Sequence, residues 1–134
     1  MTPFALKIVT PDGLAFDGQA EELIVRTVGG DMGILAGHIN CVAPLGMGRA
    51  TVMIDGKKRY AACIGGMVSV VDGTVTLVPT TFEWAEDIDL KRAENSAQRA
   101  KQVISDKNAS DTQIRLAEAR LKRALVRSSV AKPM

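Results

Sequence analysis

Histidine occurs once, at His38, and cysteine only twice, at Cys41 and Cys63. No Cys, Asp or Glu stands at ligand spacing from His38, so no metal site is expected. The sequence has no Gly-x-Ser-x-Gly elbow and no His-Glu-x-x-His helix, which excludes those two hydrolytic centres. A lone loop histidine reads as structural or interfacial before it reads as a general base. Two cysteines in apolar surroundings predict free thiols in a reducing compartment, with a disulfide as the other option. Nothing approaches the roughly 18 apolar residues of a membrane span. The start, Met1-Thr2-Pro3-Phe4-Ala5-Leu6-Lys7, lacks the basic region and apolar run of a signal peptide. Aromatic residues are also few, five in all, and none follows Trp84. The tail beyond Trp84 therefore has no stacking platform, and with no long Lys/Arg run it predicts no nucleic-acid partner.

What remains is a globular composition, 46% hydrophobic and 24% charged over 134 residues. The net charge of +2 conceals an asymmetry. Residues 1–84 carry six Lys/Arg against eight Asp/Glu, whereas residues 85–134 carry eleven against seven. A basic tail on a slightly acidic body fits an anionic partner, or a solvated helix face. All twelve glycines also lie before Trp84, and good helix formers follow it. Two domains are predicted, residues 1–84 and residues 85–134.

The first domain reads as strands. Phe4, Leu6 and Ile8 alternate with Ala5, Lys7 and Val9, a period of two. Pro11-Asp12-Gly13 marks a turn, and Gly18 is expected to end the next strand. Asp55-Gly56 and Asp72-Gly73 are two-residue hairpin signals, because a type I′ turn needs positive φ at both positions. Gly46-Met47-Gly48 and Pro79 read as breaks, and Gly65-Gly66 as a bulge, a kink or close packing. This punctuation predicts about eight to ten short strands and a mainly β sandwich or flattened barrel, the sandwich with about ten short strands being the reading adopted.

The stretch from Arg26 to His38 holds four glycines in thirteen residues. It is no phosphate cradle: Ile34 and Leu35 follow Gly33 where a P-loop has Lys then Ser/Thr, and no helix begins there. It reads either as an ordered connection or as a docking loop that presents Asp31 and His38.

The second domain reads as an antiparallel two-helix hairpin. Asp87 is a candidate cap for the first helix. Ala93, Ala97, Ala100 and Ile104 form one stripe. Ser110 and Gln113 have capping-box spacing. Ile114, Ala117, Leu121 and Ala124/Leu125 form the second stripe. Arg92 and Arg99 lie two turns apart and Arg123 and Arg127 one turn apart, so each pair aligns. Guanidinium forks suit phosphate oxygens. The alternative is a set of surface arginines paired with Asp89, Glu94 and Glu118.

Four segments together resemble the epsilon subunit family of bacterial F-type ATP synthase. They are Thr27-Val28-Gly29-Gly30-Asp31-Met32-Gly33-Ile34-Leu35-Ala36-Gly37-His38, Ile64-Gly65-Gly66-Met67-Val68-Ser69-Val70, Ala85-Glu86-Asp87-Ile88-Asp89-Leu90-Lys91-Arg92-Ala93 and Leu121-Lys122-Arg123-Ala124-Leu125-Val126-Arg127. The resemblance covers essentially the whole chain. It implies a β-sandwich followed by a two-helix domain, in a non-catalytic rotor subunit at the cytoplasmic face of the bacterial cell membrane. Implied partners are the gamma subunit and the c-ring, met by the sandwich. The loop with Asp31, Gly33 and His38 resembles the rotor-facing surface. Alpha and beta subunits would be met by extended C-terminal helices. Family members usually carry proline two residues after the histidine; here it is Asn40, which predicts a less rigid loop. Some members bind regulatory ATP through Ile/Leu-Asp-x-x-Arg-Ala, matched here at Ile88, Asp89, Arg92 and Ala93. The accompanying positions match at Glu83, Arg99, Arg123 and Arg127. No required cofactor, catalytic base or magnesium site is implied. The alternative to a rotor subunit is a free-standing nucleotide-binding sensor.

Overall fold

A computed structural model describes residues 1–132. The chain divides into two compact units, the first Met1–Trp84 and the second starting at Ala85. The first holds strands β1 (Phe4–Thr10), β2 (Gly13–Ala20), β3 (Glu22–Thr27), β4 (Gly30–Ile34), β5 (Cys41–Pro44), β6 (Met47–Ile54), β7 (Lys57–Val71) and β8 (Thr74–Trp84). They run in the order β2-β1-β8-β7-β6-β3-β4, with β5 also on β7. All pairings are antiparallel except β1 with β8.

The sandwich has eight strands, the lower end of the expected range, because the predicted stops at Gly18 and Pro79 lie inside strands. Gly18 pairs with Leu6 within β2. β7 continues through Gly65-Gly66 and β8 through Pro79, with Gly66 opposite Pro79. On its other side β7 pairs first with β6 and then with β5. Between those two strands, Leu45 N–H donates to the Gly66 carbonyl at 2.8 Å and Gly65 N–H to the Gly46 carbonyl at 2.9 Å. Gly46, Gly65-Gly66 and Pro79 thus lie along one crease crossing neighbouring strands. Here β7 changes its partner from β6 to β5. Gly65 and Gly66 have φ of 69° and 95°. A Cβ on Gly66 would overlap the Val78 carbonyl oxygen and lie 2.7 Å from Pro79 Cα. Only glycine permits that approach.

The alternating residues point inward. Leu6, Ile8, Leu23, Val25, Ile34, Val52, Val68, Val70, Val75 and Leu77 are essentially inaccessible and form one core cluster with Phe4 and Trp84. Both cysteines are free; Cys63 belongs to this core, and burial pushes its thiol pKa up to about 12.

The second unit begins with a 3-10 turn, Ala85–Asp87, followed by α1 (Leu90–Ile104) and α2 (Asp111–Ala131). Asp89, not Asp87, caps α1: its Oδ1 accepts from Arg92 N–H at 3.0 Å. The intervening turn moves the helix start past Asp87. The capping box of α2 is formed, with Ser110 Oγ accepting from Gln113 N–H at 3.1 Å and Gln113 Oε1 from Ser110 N–H at 2.8 Å. The α1–α2 seam is built from small residues, with Ala93, Ala97, Ala100, Ala117 and Ala124 buried. None of the described helices is long and apolar enough to cross a membrane.

Candidate functional site

The glycine-rich stretch is a hairpin rather than a long loop. β3 and β4 pair from Thr27–Gly30 to Leu23–Ile34 around a turn at Val28-Gly29. Thr27 Oγ1 fixes that turn, donating to the Gly30 carbonyl at 2.7 Å and accepting from Gly29 N–H at 3.2 Å. Asp31 and Gly33 lie exposed on β4, the last strand of the sheet order. Asp31 faces Arg26 across the ladder, and its Oδ1 is 3.3 Å from Arg26 Nη1. The stem of Arg26 runs over β6. A Cβ on Gly48 would come within 2.7 Å of Arg26 Cβ. Glycine at position 48 therefore leaves space for the arginine, a pairing that no local pattern revealed.

His38 lies in the following loop, half-buried. Its Nδ1 is 2.8 Å from the Ile39 carbonyl. A carbonyl only accepts, so Nδ1 carries the proton in that bond. Asn40 is fastened at both ends of its amide: Asp72 N–H donates to Asn40 Oδ1 at 2.8 Å, and Asn40 Nδ2 donates to Asp72 Oδ1 at 3.3 Å. Val28, Leu35 and Ile39 stand exposed around the hairpin and loop.

The remaining predicted residues, apart from Glu83, belong to the helical unit. Glu83 is in β8, opposite Ala62. Ile88 is half-buried between the 3-10 turn and the Asp89 cap, and Ala93 is fully buried. Arg92 and Arg99 are exposed on α1; Arg123 and Arg127 are half-buried on α2. Arg92, Arg99 and Arg123 make no ion pair with another described residue, so the expected pairing with Asp89, Glu94 or Glu118 is not formed by these three. A groove of about 390 Å³ opens beside the seam, lined by Ser96, Arg99, Ala100, Val103, Ala117 and Arg120. Arg120 is the residue that sequence reasoning missed, although it precedes Arg123 and Arg127 at helical spacing. No group of three or more His, Cys, Asp or Glu among the described residues could hold a metal ion.

Residues 3–85 match the family model described as ATP synthase, Delta/Epsilon chain, beta-sandwich domain. Residues 86–132 match that of the ATP synthase, Delta/Epsilon chain, long alpha-helix domain. The chain belongs to the ATP synthase delta/epsilon chain family.

Relatives within this family include the ATP synthase epsilon chain of Ruminococcus albus, 41% identical over 132 residues, with 98% of each chain covered. That of Bacillus velezensis is 42% identical over 131 residues, again with 98% of each covered. Among solved structures, a chain of the Euglena gracilis mitochondrial ATP synthase, determined with OSCP, F1 and c-ring, shares the fold at a TM-score of 0.86. That pair is 22% identical, covering 98% of this chain and 83% of the other. A chain of the Tetrahymena thermophila mitochondrial ATP synthase central stalk and c-ring aligns at 0.61 and 16% identity, with 96% of each covered. In this delta/epsilon member, the motif residue Asp89 has a local structural task as a helix cap, while Arg92 and Arg99 leave their guanidinium groups in solvent.

Proposed function

We propose that this family member is a non-catalytic rotor subunit of an F-type ATP synthase, peripheral to the cytoplasmic face of the bacterial membrane. Its sandwich docks on the gamma subunit and the c-ring through the surface carrying Asp31, Gly33 and His38, so that proton-driven rotation reaches the catalytic head. Its helical pair restrains ATP hydrolysis by leaving the folded hairpin and extending toward the alpha and beta subunits. ATP bound at Ile88, Asp89, Arg92, Ala93, Arg99, Arg123 and Arg127, with Glu83, favours the folded form and is not hydrolysed there.

The observation that carries this reading is the contrast between the two units. The sandwich buries a continuous set of Leu, Ile, Val and Phe side chains, whereas the helices meet through alanine. Burial of apolar area contributes about 25 cal/mol per Å², so an alanine seam stabilises far less than a leucine one. A ligand selective for the folded hairpin shifts its population by its differential affinity. At about 100 times its Kd it contributes about 2.7 kcal/mol. The arginines supply the positive charge that phosphates require.

The test is removal of residues 88–134 from the assembled complex. The expected result is faster ATP hydrolysis with assembly and coupled synthesis retained. A truncated complex that fails to assemble or couple would overturn the division of labour. Co-purification with gamma separates the rotor reading from a free-standing sensor, which would not require that partner.

A further inference from the structure

We propose that Ser128 sets how readily the helical hairpin opens. Its hydroxyl is buried without a partner in the folded pair and regains one, water, when α2 leaves. This deepens the regulatory reading and rests on it for the consequence in the complex, though not for the opening itself. The role of Ser128 lies in the balance between folded and open forms, not in contact with a ligand.

Ala117, Leu121, Ala124 and Ser128 recur at helical spacing and share one face of α2. The first three are apolar; the last is not. Among the described residues of the helical unit, Ser128 is the one polar side chain that is buried, at 7% exposure. Its Oγ is shut off from solvent and has no hydrogen-bond partner among the described residues. A serine hydroxyl inside a helix can turn back onto the carbonyl one turn earlier, here that of Ala124. That bond is not made. A hydroxyl taken out of water with nothing in return disfavours the state that buries it. The alanines on the same face bury no polar side-chain atom and carry no such penalty. The position of Ser128 adds to the effect. Ala100 and Ala117 line one groove, so the antiparallel register carries the later turns of α2 back along α1 toward its start. Ser128 lies about 27 Å along α2 from the Ser110 cap, at the end of the pair where no loop joins the helices. Separation at this end hydrates the hydroxyl and gives up only small side-chain contacts. Folded and open forms are thereby kept close in free energy. In that condition a modest differential interaction moves the population.

The test compares Ser128→Ala with Ser129→Ala in the full chain, by amide hydrogen exchange. Ser129 is the exposed neighbour, and its replacement makes the same change in helix propensity. The difference between the two variants therefore isolates the buried hydroxyl. The α1 and α2 amides should exchange about fivefold slower or more in Ser128→Ala than in Ser129→Ala, with β7 and β8 amides the same in both. Equal exchange in the two variants, or faster exchange in Ser128→Ala, overturns the proposal. A second measurement is ATP hydrolysis by the assembled complex. Ser128→Ala should hydrolyse faster than Ser129→Ala, because its hairpin leaves the folded form less often. Slower exchange with unchanged hydrolysis leaves the assignment of Ser128 standing and overturns the regulatory reading instead. Faster hydrolysis without slower exchange places Ser128 in a contact of the extended form, and the inference falls.

Discussion

Asn40 and Asp72 hold one another by two hydrogen bonds across 32 residues of sequence. One end of this clasp lies at the close of the loop that carries His38. The other is the first residue of the Asp72-Gly73 turn between β7 and β8. Asp72 occupies the left-handed region with φ of 48°, so its N–H is presented outward from a fixed turn. Where proline would restrict the backbone directly, asparagine here ties it to a neighbouring hairpin. Asn40→Ala should lower stability by about 1 kcal/mol and speed exchange of the Asp72 amide. Asn40→Asp should cost more, because the Nδ2 donor is lost and two carboxylates face each other. Hydrogen exchange unchanged at Asp72 in both variants would show the clasp to be idle in solution.

The crease through β7 makes a second, larger claim on stability. Gly66→Ala brings its Cβ onto the Val78 carbonyl, which is backbone and has little room to retreat. The expected cost is about 3–5 kcal/mol in urea unfolding. Gly73→Ala is the comparison. It also has positive φ, 82°, but nothing lies within 4 Å of the added Cβ. Its cost should be about 1–2 kcal/mol, that of the left-handed conformation alone. Equal costs at the two positions would mean that the close approach to β8 carries no energy.

Both Asp-Gly hairpins and the Ser110–Gln113 capping box were legible in the sequence because each is a local rule met by adjacent residues. Asp55 and Gly56 have φ of 51° and 75°, as such a turn demands. Gly65-Gly66 was legible as a bulge, kink or close packing, whereas the passage of β8 through Pro79 was not, because proline reads the same whether a strand ends or bends there. That choice is made by β7, which pairs with β8 on both sides of Pro79. The 3-10 turn displaced the helix cap from Asp87 to Asp89 for a similar reason: either carboxylate satisfies the local rule. At the arginines, spacing showed which residues share a helix face. It could not show that Arg120 meets the groove of Arg99, since that requires the register between the two helices.

Cys63 gives a pH dependence with a definite sign. Its thiol is buried in the sandwich core, and the folded value lies at about 12 against an ordinary 9.0. The folded chain keeps this proton in a range where the unfolded chain releases it. The stabilisation is therefore complete below about pH 9 and declines as pH rises toward 12, by up to about 1.4 kcal/mol per pH unit. Other groups also titrate there, so the measure is a difference. Unfolding of the original chain and of Cys63→Ala, followed from pH 8 to pH 11, should converge at high pH as the original loses its advantage. Parallel curves would show that ionisation at this position is not linked to folding. In the native state, alkylation should reach the half-buried Cys41 well before Cys63.

The alanine seam makes the last prediction, and it concerns the order in which the chain comes apart. Ala100 and Ala117 are almost wholly buried between helices that approach closely. Ala97→Leu forces a branched side chain into the same buried stripe of α1, at a cost of about 1–3 kcal/mol. Ser110→Ala removes the Oγ that accepts from Gln113 N–H and leaves only the bond from the residue-110 N–H to Gln113, at a cost of about 1 kcal/mol. Neither position belongs to the sandwich. Each variant should therefore lose helical circular dichroism at lower temperature and exchange its α1 and α2 amides faster. Protection of β7 and β8 amides should stay at the original level, because their apolar core is untouched. Should those strands lose protection in step with the helices, the two units would unfold as one, and a helical pair that leaves its hairpin while the sandwich holds its partners would be thermodynamically excluded.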